Sequence, residues 1–269
     1  MKNYPQIIRR VYGEPWLILP AAHRSIRQLL ESKLEGADRS FAADQIVGHA
    51  EMKNDHGAAI INVHGVLGKH LSLMEEMCGG CSIDTISEEL ERAAENGNAN
   101  RIILNFNTPG GVIPGIPELA RKIEAIDKFK PVYGFTDYMS CSCGQWLMSQ
   151  CREAWATPSA MVGSVGVYSI YLDESEALSK AGMKVEAIAS DDDKLLGASF
   201  KPMTDRERGI LQAKVDSIYA EFKAAIQTHR KVPDEYMTGL VYYGEEAVKG
   251  GLLSGLVDGF DEVIALTNK

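Results

Sequence analysis

Residues 131–157, PVYGFTDYMSCSCGQWLMSQCREAWAT, decide how the chain is organised. An apolar strand, Pro131–Phe135, runs into the small-residue turn Ser140-Cys141-Ser142-Cys143-Gly144. A helix-like run, Gln145–Cys151, and a second strand, Glu153–Thr157, follow. A strand-to-helix turn with small neighbours lifts a hydroxyl to where a reacting carbonyl can approach it. Ser142 is therefore a candidate nucleophile, although serines in Cys/Ser-rich turns are common and the turn alone is a weak signal.

The same alternation continues on both sides. Upstream, Ala58–Val66 reads as a buried strand ending at Gly65, and Ser82 caps a helix over Ile83–Glu95. Arg101–Phe106 is a further strand that runs into Asn107-Thr108-Pro109-Gly110-Gly111 before a helix at about Pro117–Asp127. Glycines at such a turn leave amides that a substrate carbonyl can reach without meeting a Cβ, as an oxyanion hole requires. A plain Pro-Gly turn is the competing reading. Downstream come a turn at Gly163-Ser164, a strand Val165–Leu172, a helix Glu174–Ala181 and a strand Met183–Ala189. Thr204 with Glu207 forms a capping box for a long helix reaching about Arg230. Repeated strand–helix units imply an α/β fold with a largely parallel sheet.

Residues 1–56 read as an arm and linker, punctuated by Pro5, Pro15 and Pro20, with a polar linker over Asp38–Asp55; residues 57–269 form the main domain. With 45% hydrophobic and 24% charged residues, the 269-residue chain can bury a sizeable core. A net charge of -9 without a Lys/Arg-rich run argues against a nucleic-acid groove. No apolar span is long enough for a membrane helix, and the N-terminus lacks a signal-peptide pattern. Cys78, Cys81, Cys141, Cys143 and Cys151 are an odd set, expected as reduced thiols of a cytoplasm-like compartment. Cys141-x-Cys143 is too tight for a zinc knuckle, so no metal and no cofactor is expected.

Lys194 follows three aspartates, which ordinarily marks an exposed loop. Folded inward beside Ser142 it would be desolvated, which disfavours the ammonium, and its neutral amine could take the hydroxyl proton as the base of a Ser-Lys dyad. Proximity of the two is not readable from spacing. His23, His49, His56, His64, His70 and His229 offer no motif that pairs one of them with Ser142.

Three ordered segments resemble peptidase family S49, the signal peptide peptidase A and phage capsid-protease group. Asn107-Thr108-Pro109-Gly110-Gly111 is similar to the family's (D/N)-(S/T)-P-G-G turn. Cys141-Ser142-Cys143-Gly144 with Gly163-Ser164-Val165-Gly166-Val167 resembles its nucleophile turn and following strand. Lys194, ahead of Pro202-Met203-Thr204, resembles its lysine loop. The resemblance implies Ser142 as nucleophile, Lys194 as general base, the Gly111 and Cys143 amides as oxyanion hole, and Gly110, Gly111 and Val112 as substrate-binding residues. It also implies a caseinolytic-protease/crotonase-like fold of repeated ββα units with flanking helices, behind an N-terminal arm.

The opening Val11–Pro20 and Met139-Ser140-Cys141-Ser142-Cys143-Gly144-Gln145 resemble the phage branch most. That branch implies a homo-oligomeric head-maturation endopeptidase acting on scaffold, portal or major capsid proteins, in the host cytoplasm or procapsid interior, without nucleic acid or membrane. A cytoplasmic signal-peptide-peptidase-like protease and a catalytically silent assembly protein are the alternatives; an acyl-CoA enzyme is more distant. The flanking thiols Cys141 and Cys143 depart from the family pattern and keep thiol chemistry open. Ser254 stands where the family pattern has an acidic residue.

Overall fold

β-branched and apolar runs in this chain lie in the middle of a parallel sheet, where both faces are covered and the sequence has no need to alternate. The computed structural model describes residues 11–12, 15–34, 52–77 and 79–268. In chain order the elements begin with β1 (Trp16–Ile18), α1 (Pro20–Leu34), β2 (Met52–Asp55), β3 (Ala58–His64), β4 (Val66–Gly68), α2 (Leu73–Met77), β5 (Gly80–Ser82) and α3 (Ile83–Glu95). Then come β6 (Arg101–Asn107), β7 (Gly110–Val112), α4 (Ile116–Asp127), β8 (Val132–Thr136), β9 (Met139–Cys141), α5 (Cys143–Ser149), β10 (Glu153–Ala156) and β11 (Met161–Gly163). The last are α6 (Ser175–Lys180), α7 (Asp205–His229), β12 (Val241–Tyr243), α8 (Gly244–Lys249), β13 (Gly255–Leu256) and α9 (Phe260–Thr267).

A two-strand unit recurs. The first strand of each pair β3–β4, β6–β7, β8–β9 and β10–β11 joins a six-stranded sheet of order β13-β10-β8-β6-β3-β2. The second strand turns out of it, into a four-stranded sheet (β1-β7-β4-β5) or a three-stranded one (β12-β11-β9). Helices α4 and α5 close the second and third units, so the expected repeated ββα architecture is present. Pairs β3–β6, β6–β8, β8–β10 and β10–β13 are all parallel.

Helix α3 begins where expected: Ser82 Oγ accepts from the Thr85 amide at 3.2 Å, and Ile83, Ile86 and Leu90 are buried against the core. Trp146 of α5 stacks on Phe222 of α7, centroids 4.8 Å apart, which fastens the long helix to the helix that follows Ser142. The long helix carries the expected capping box between Thr204 and Glu207.

Three expectations fail locally. Val165–Leu172 is not a strand; only Tyr168 makes a β-bridge, to Trp16. Met183–Ala189 has strand-like residues but no partner edge among the described residues, and it lies exposed without regular structure, Ile188 being 97% accessible. The polar stretch Asp38–Asp55 is not linker to its end, because Met52–Asp55 pairs antiparallel with β3. His56 and Gly57, with φ of 45° and 75°, turn that hairpin in the left-handed region that suits two-residue connections. The part of that stretch up to Glu51 falls outside the described residues.

Candidate active site

Ser142 lies between the end of β9 and the first residue of α5. Its backbone has φ 55° and ψ −120°, a conformation that costs a non-glycine residue of order 1–3 kcal/mol. The surroundings hold it there. Its amide donates to Gly163 O at 2.7 Å, and its carbonyl accepts from the Trp146 amide at 3.0 Å. Gln145 ties the same corner together: its Nε2 donates to Leu252 O at 3.2 Å, and its Oε1 accepts from the Gly163 amide at 3.4 Å.

The Pro-Gly-Gly turn is stitched to this elbow. The Thr108 amide donates to Met139 O at 2.9 Å, and the Cys141 amide donates to Thr108 O at 3.0 Å. Thr108 Oγ1 accepts from the Gly110 amide at 3.1 Å. A Cβ on Gly144 would stand 2.5 Å from Thr108 Cγ2, so the glycine after Cys143 lets the two turns close on each other. The structure therefore brings Ser142 and Cys143 close to the turn that carries Gly110, Gly111 and Val112. The Cys143 amide is in the first turn of α5, where amides have no partner inside the helix.

Ser142 is 1% exposed, and its Oγ is buried without a hydrogen-bond partner. Leaving a buried hydroxyl unsatisfied costs about 1–3 kcal/mol; Ser140 Oγ is buried without a partner as well, and what sets Ser142 apart from it is the positive φ at the start of the helix. The thiols beside it are poor rivals. Burial pushes the Cys141 thiol up to about 12 and the Cys143 thiol higher still, so neither supplies a thiolate near neutral pH.

Lys194 is exposed where Ser142 is buried. It lies in a short 3-10 turn, Asp192–Leu195, in an exposed stretch, and Ser142 Oγ has no partner from it or from any other described group. The turn is local chemistry: Asp191 Oδ1 accepts from the Asp193 amide at 2.8 Å, and Asp193 pairs with Arg206 at 2.6 Å. Gly111 also has neighbours on both sides, Leu17 of β1 and Leu67 of β4. Gln145, Thr108 and Tyr168 shape the site without having been singled out from sequence. Their places in the two recognisable turn motifs were the available signal for the first two.

The chain belongs to peptidase family S49, whose family model matches residues 124–269, more than half of the chain and a span that includes Ser142 and Lys194. The relatives it resembles include the capsid assembly protease C of Escherichia phage lambda, 26% identical over 99% of this chain and 66% of that protein. The head-tail preconnector protein GP5 of Enterobacteria phage P21 is 24% identical over 97% of this chain and 57% of its own length. The chain thus spans less than two thirds of either phage relative. Protease 4 of Haemophilus influenzae is 26% identical over 77% of this chain and 33% of that protein. Among solved structures, an enoyl-CoA hydratase/isomerase family protein from Silicibacter pomeroyi is similar, with TM-score 0.47 and 13% identity over 81% of this chain and 80% of that one.

Proposed function

We propose that the chain is a serine endopeptidase of phage head maturation, with Ser142 as nucleophile. The observation that carries this reading is the strained elbow at Ser142, whose hydroxyl is buried without a partner. In the proposed reaction Ser142 Oγ attacks a peptide carbonyl while the neutral amine of Lys194 takes the hydroxyl proton. The Gly111 and Cys143 amides stabilise the resulting oxyanion. The proton then passes to the leaving amine, an acyl-enzyme forms, and water deprotonated by the same amine releases the acid.

The reading requires the exposed stretch that carries Lys194 to come over Ser142, within one protomer or between two copies. Met183, Val185 and Ile188 in that stretch are exposed apolar side chains, and they support the homo-oligomer that the reading includes. The names of the two phage relatives, a capsid assembly protease and a head-tail preconnector protein, support head proteins as the substrates; the reading takes these to be scaffold, portal or major capsid proteins, cut in the host cytoplasm or procapsid interior. No helix among the described residues is long and apolar enough to cross a membrane.

Ser142→Ala and Lys194→Ala are each expected to abolish cleavage of co-expressed head proteins, read as band shifts on a gel, with unchanged circular dichroism. Lys194→Arg fails as well, because a guanidinium does not give up its proton. Processing that persists in the Ser142→Ala chain removes the peptidase reading. Processing that persists in the lysine variants removes the dyad.

A further inference from the structure

Strand β7 carries the three residues proposed to bind substrate, and neither of its edges is open. On one side Gly111 is opposite Leu67 of β4, which follows directly on β3 of the six-stranded sheet. On the other side β1 runs antiparallel to it, with Trp16 opposite Val112, Leu17 opposite Gly111 and Ile18 opposite Gly110. The Leu19 amide extends the ladder to Pro109 O at 2.9 Å.

The far edge of β1 is gripped too. The Trp16 amide donates to Tyr168 O at 2.8 Å, and the Tyr168 amide donates to Trp16 O at 3.1 Å. Trp16 therefore turns its backbone groups toward Tyr168. By the alternation of an antiparallel ladder, Leu17 turns its own toward Gly111, so the Leu17 carbonyl takes the Gly111 amide. A Cβ at Gly110 would stand 2.1 Å from Leu17 O, so the glycine is what lets a strand pass this close. Side chains alternate likewise: Leu17 packs into the main core, while Trp16 and Ile18 pack with Val112 and near Tyr168 on the other face.

We propose that the segment Pro15–Leu19 is an internal stand-in for a substrate strand, seated in a slot between β7 and Tyr168 that accepts extended apolar peptides. The slot offers backbone bonds on both edges and apolar cover on both faces, so the substrate class it selects is an extended, alternating apolar segment. While β1 is seated, the Gly111 amide is taken, and the proposal assigns to β1 a share in the burial of Ser142, which is 1% exposed. A substrate segment gains access by displacing β1. This rests on the peptidase reading for its chemistry, but the occupation of the slot is independent of it.

Two measurements on the full chain test the proposal. In the first, Ser142→Cys supplies a thiol at the elbow, and its alkylation by a small neutral maleimide is timed against the chain without that substitution. Adding Leu19→Pro deletes the bond to Pro109 O and is expected to speed alkylation about tenfold, the effect of one lost backbone hydrogen bond. Excess synthetic peptide of residues 15–20, PWLILP, is expected to slow it again. Unchanged alkylation, or no protection by the peptide, overturns the proposal.

In the second, Trp16→Cys with Tyr168→Cys forms a lock, since facing residues that exchange both bonds lie about 5.5 Å apart at Cα, within disulfide range. Cleavage of a head protein is expected to rise on reduction, because the oxidised chain holds β1 covalently in the slot. Equal cleavage by the oxidised and reduced chains overturns the proposal. If neither form cleaves while alkylation responds to Leu19→Pro and to the peptide, the slot stands and the peptidase reading falls.

Discussion

Ser142 shows what a single residue gives up to hold the conformation proposed for the nucleophile. Its backbone strain costs about 1–3 kcal/mol and its unsatisfied hydroxyl a similar amount. Ser142→Gly removes both and adds only about 0.5–1 kcal/mol of backbone entropy cost. The variant is therefore expected to be more stable by about 3 kcal/mol, read as a higher urea midpoint at unchanged slope. An unchanged or lower midpoint would show that the elbow stores no strain. The restraints come from Gln145 and Gly163, residues distant from each other in sequence that share one hydrogen-bonded corner.

At the scale of elements, α7 depends on its first turn. Glu207 accepts from Lys201 and from the amide and hydroxyl of Thr204, which together hold its carboxyl down at about 2, against an ordinary 4.5. Because the folded carboxyl is the stronger acid, its contribution is complete above about 4.5 and is lost as pH falls toward about 2. Amide exchange in the first turn of α7 is expected to quicken over that window. In Glu207→Gln the same turn is expected to exchange faster at neutral pH and to lose most of this acid response. Thr204→Ala removes the reciprocal half of the box and is expected to cost about 1 kcal/mol. This element was legible from Thr204 and Glu207 alone, because a capping box is a contact between residues three apart.

For the molecule as a whole, Arg101 joins the large sheet to the last helix. Its guanidinium is buried and donates to Thr267 Oγ1 at 2.9 Å, Asn100 Oδ1 at 2.8 Å and Ile264 O at 3.3 Å. Hydrogen bonds from a charged donor contribute about 1.5–3 kcal/mol each, against the cost of desolvating the cation. Arg101→Met is expected to lower global stability by about 1–3 kcal/mol and to raise amide exchange over residues 260–267 first. Uniform loss of protection across the sheet would contradict that order.

The sequence by itself determined the elements whose causes are local: the apolar runs of β3, β6 and β8, the Ser82 and Thr204 caps, and the two glycine-flanked turns that hold Gly111 and Ser142. Strand-like composition misled at Met183–Ala189, because a strand needs an edge to pair with and the described residues offer that stretch none. Only the tertiary structure decided that the two turns meet through Thr108, that Lys194 lies in an exposed turn without bonding the buried Ser142 hydroxyl, and that β1 takes the edge of β7. Those outcomes depend on pairings between residues far apart in the chain, whose energies come from registers and packed faces that no stretch of sequence contains alone.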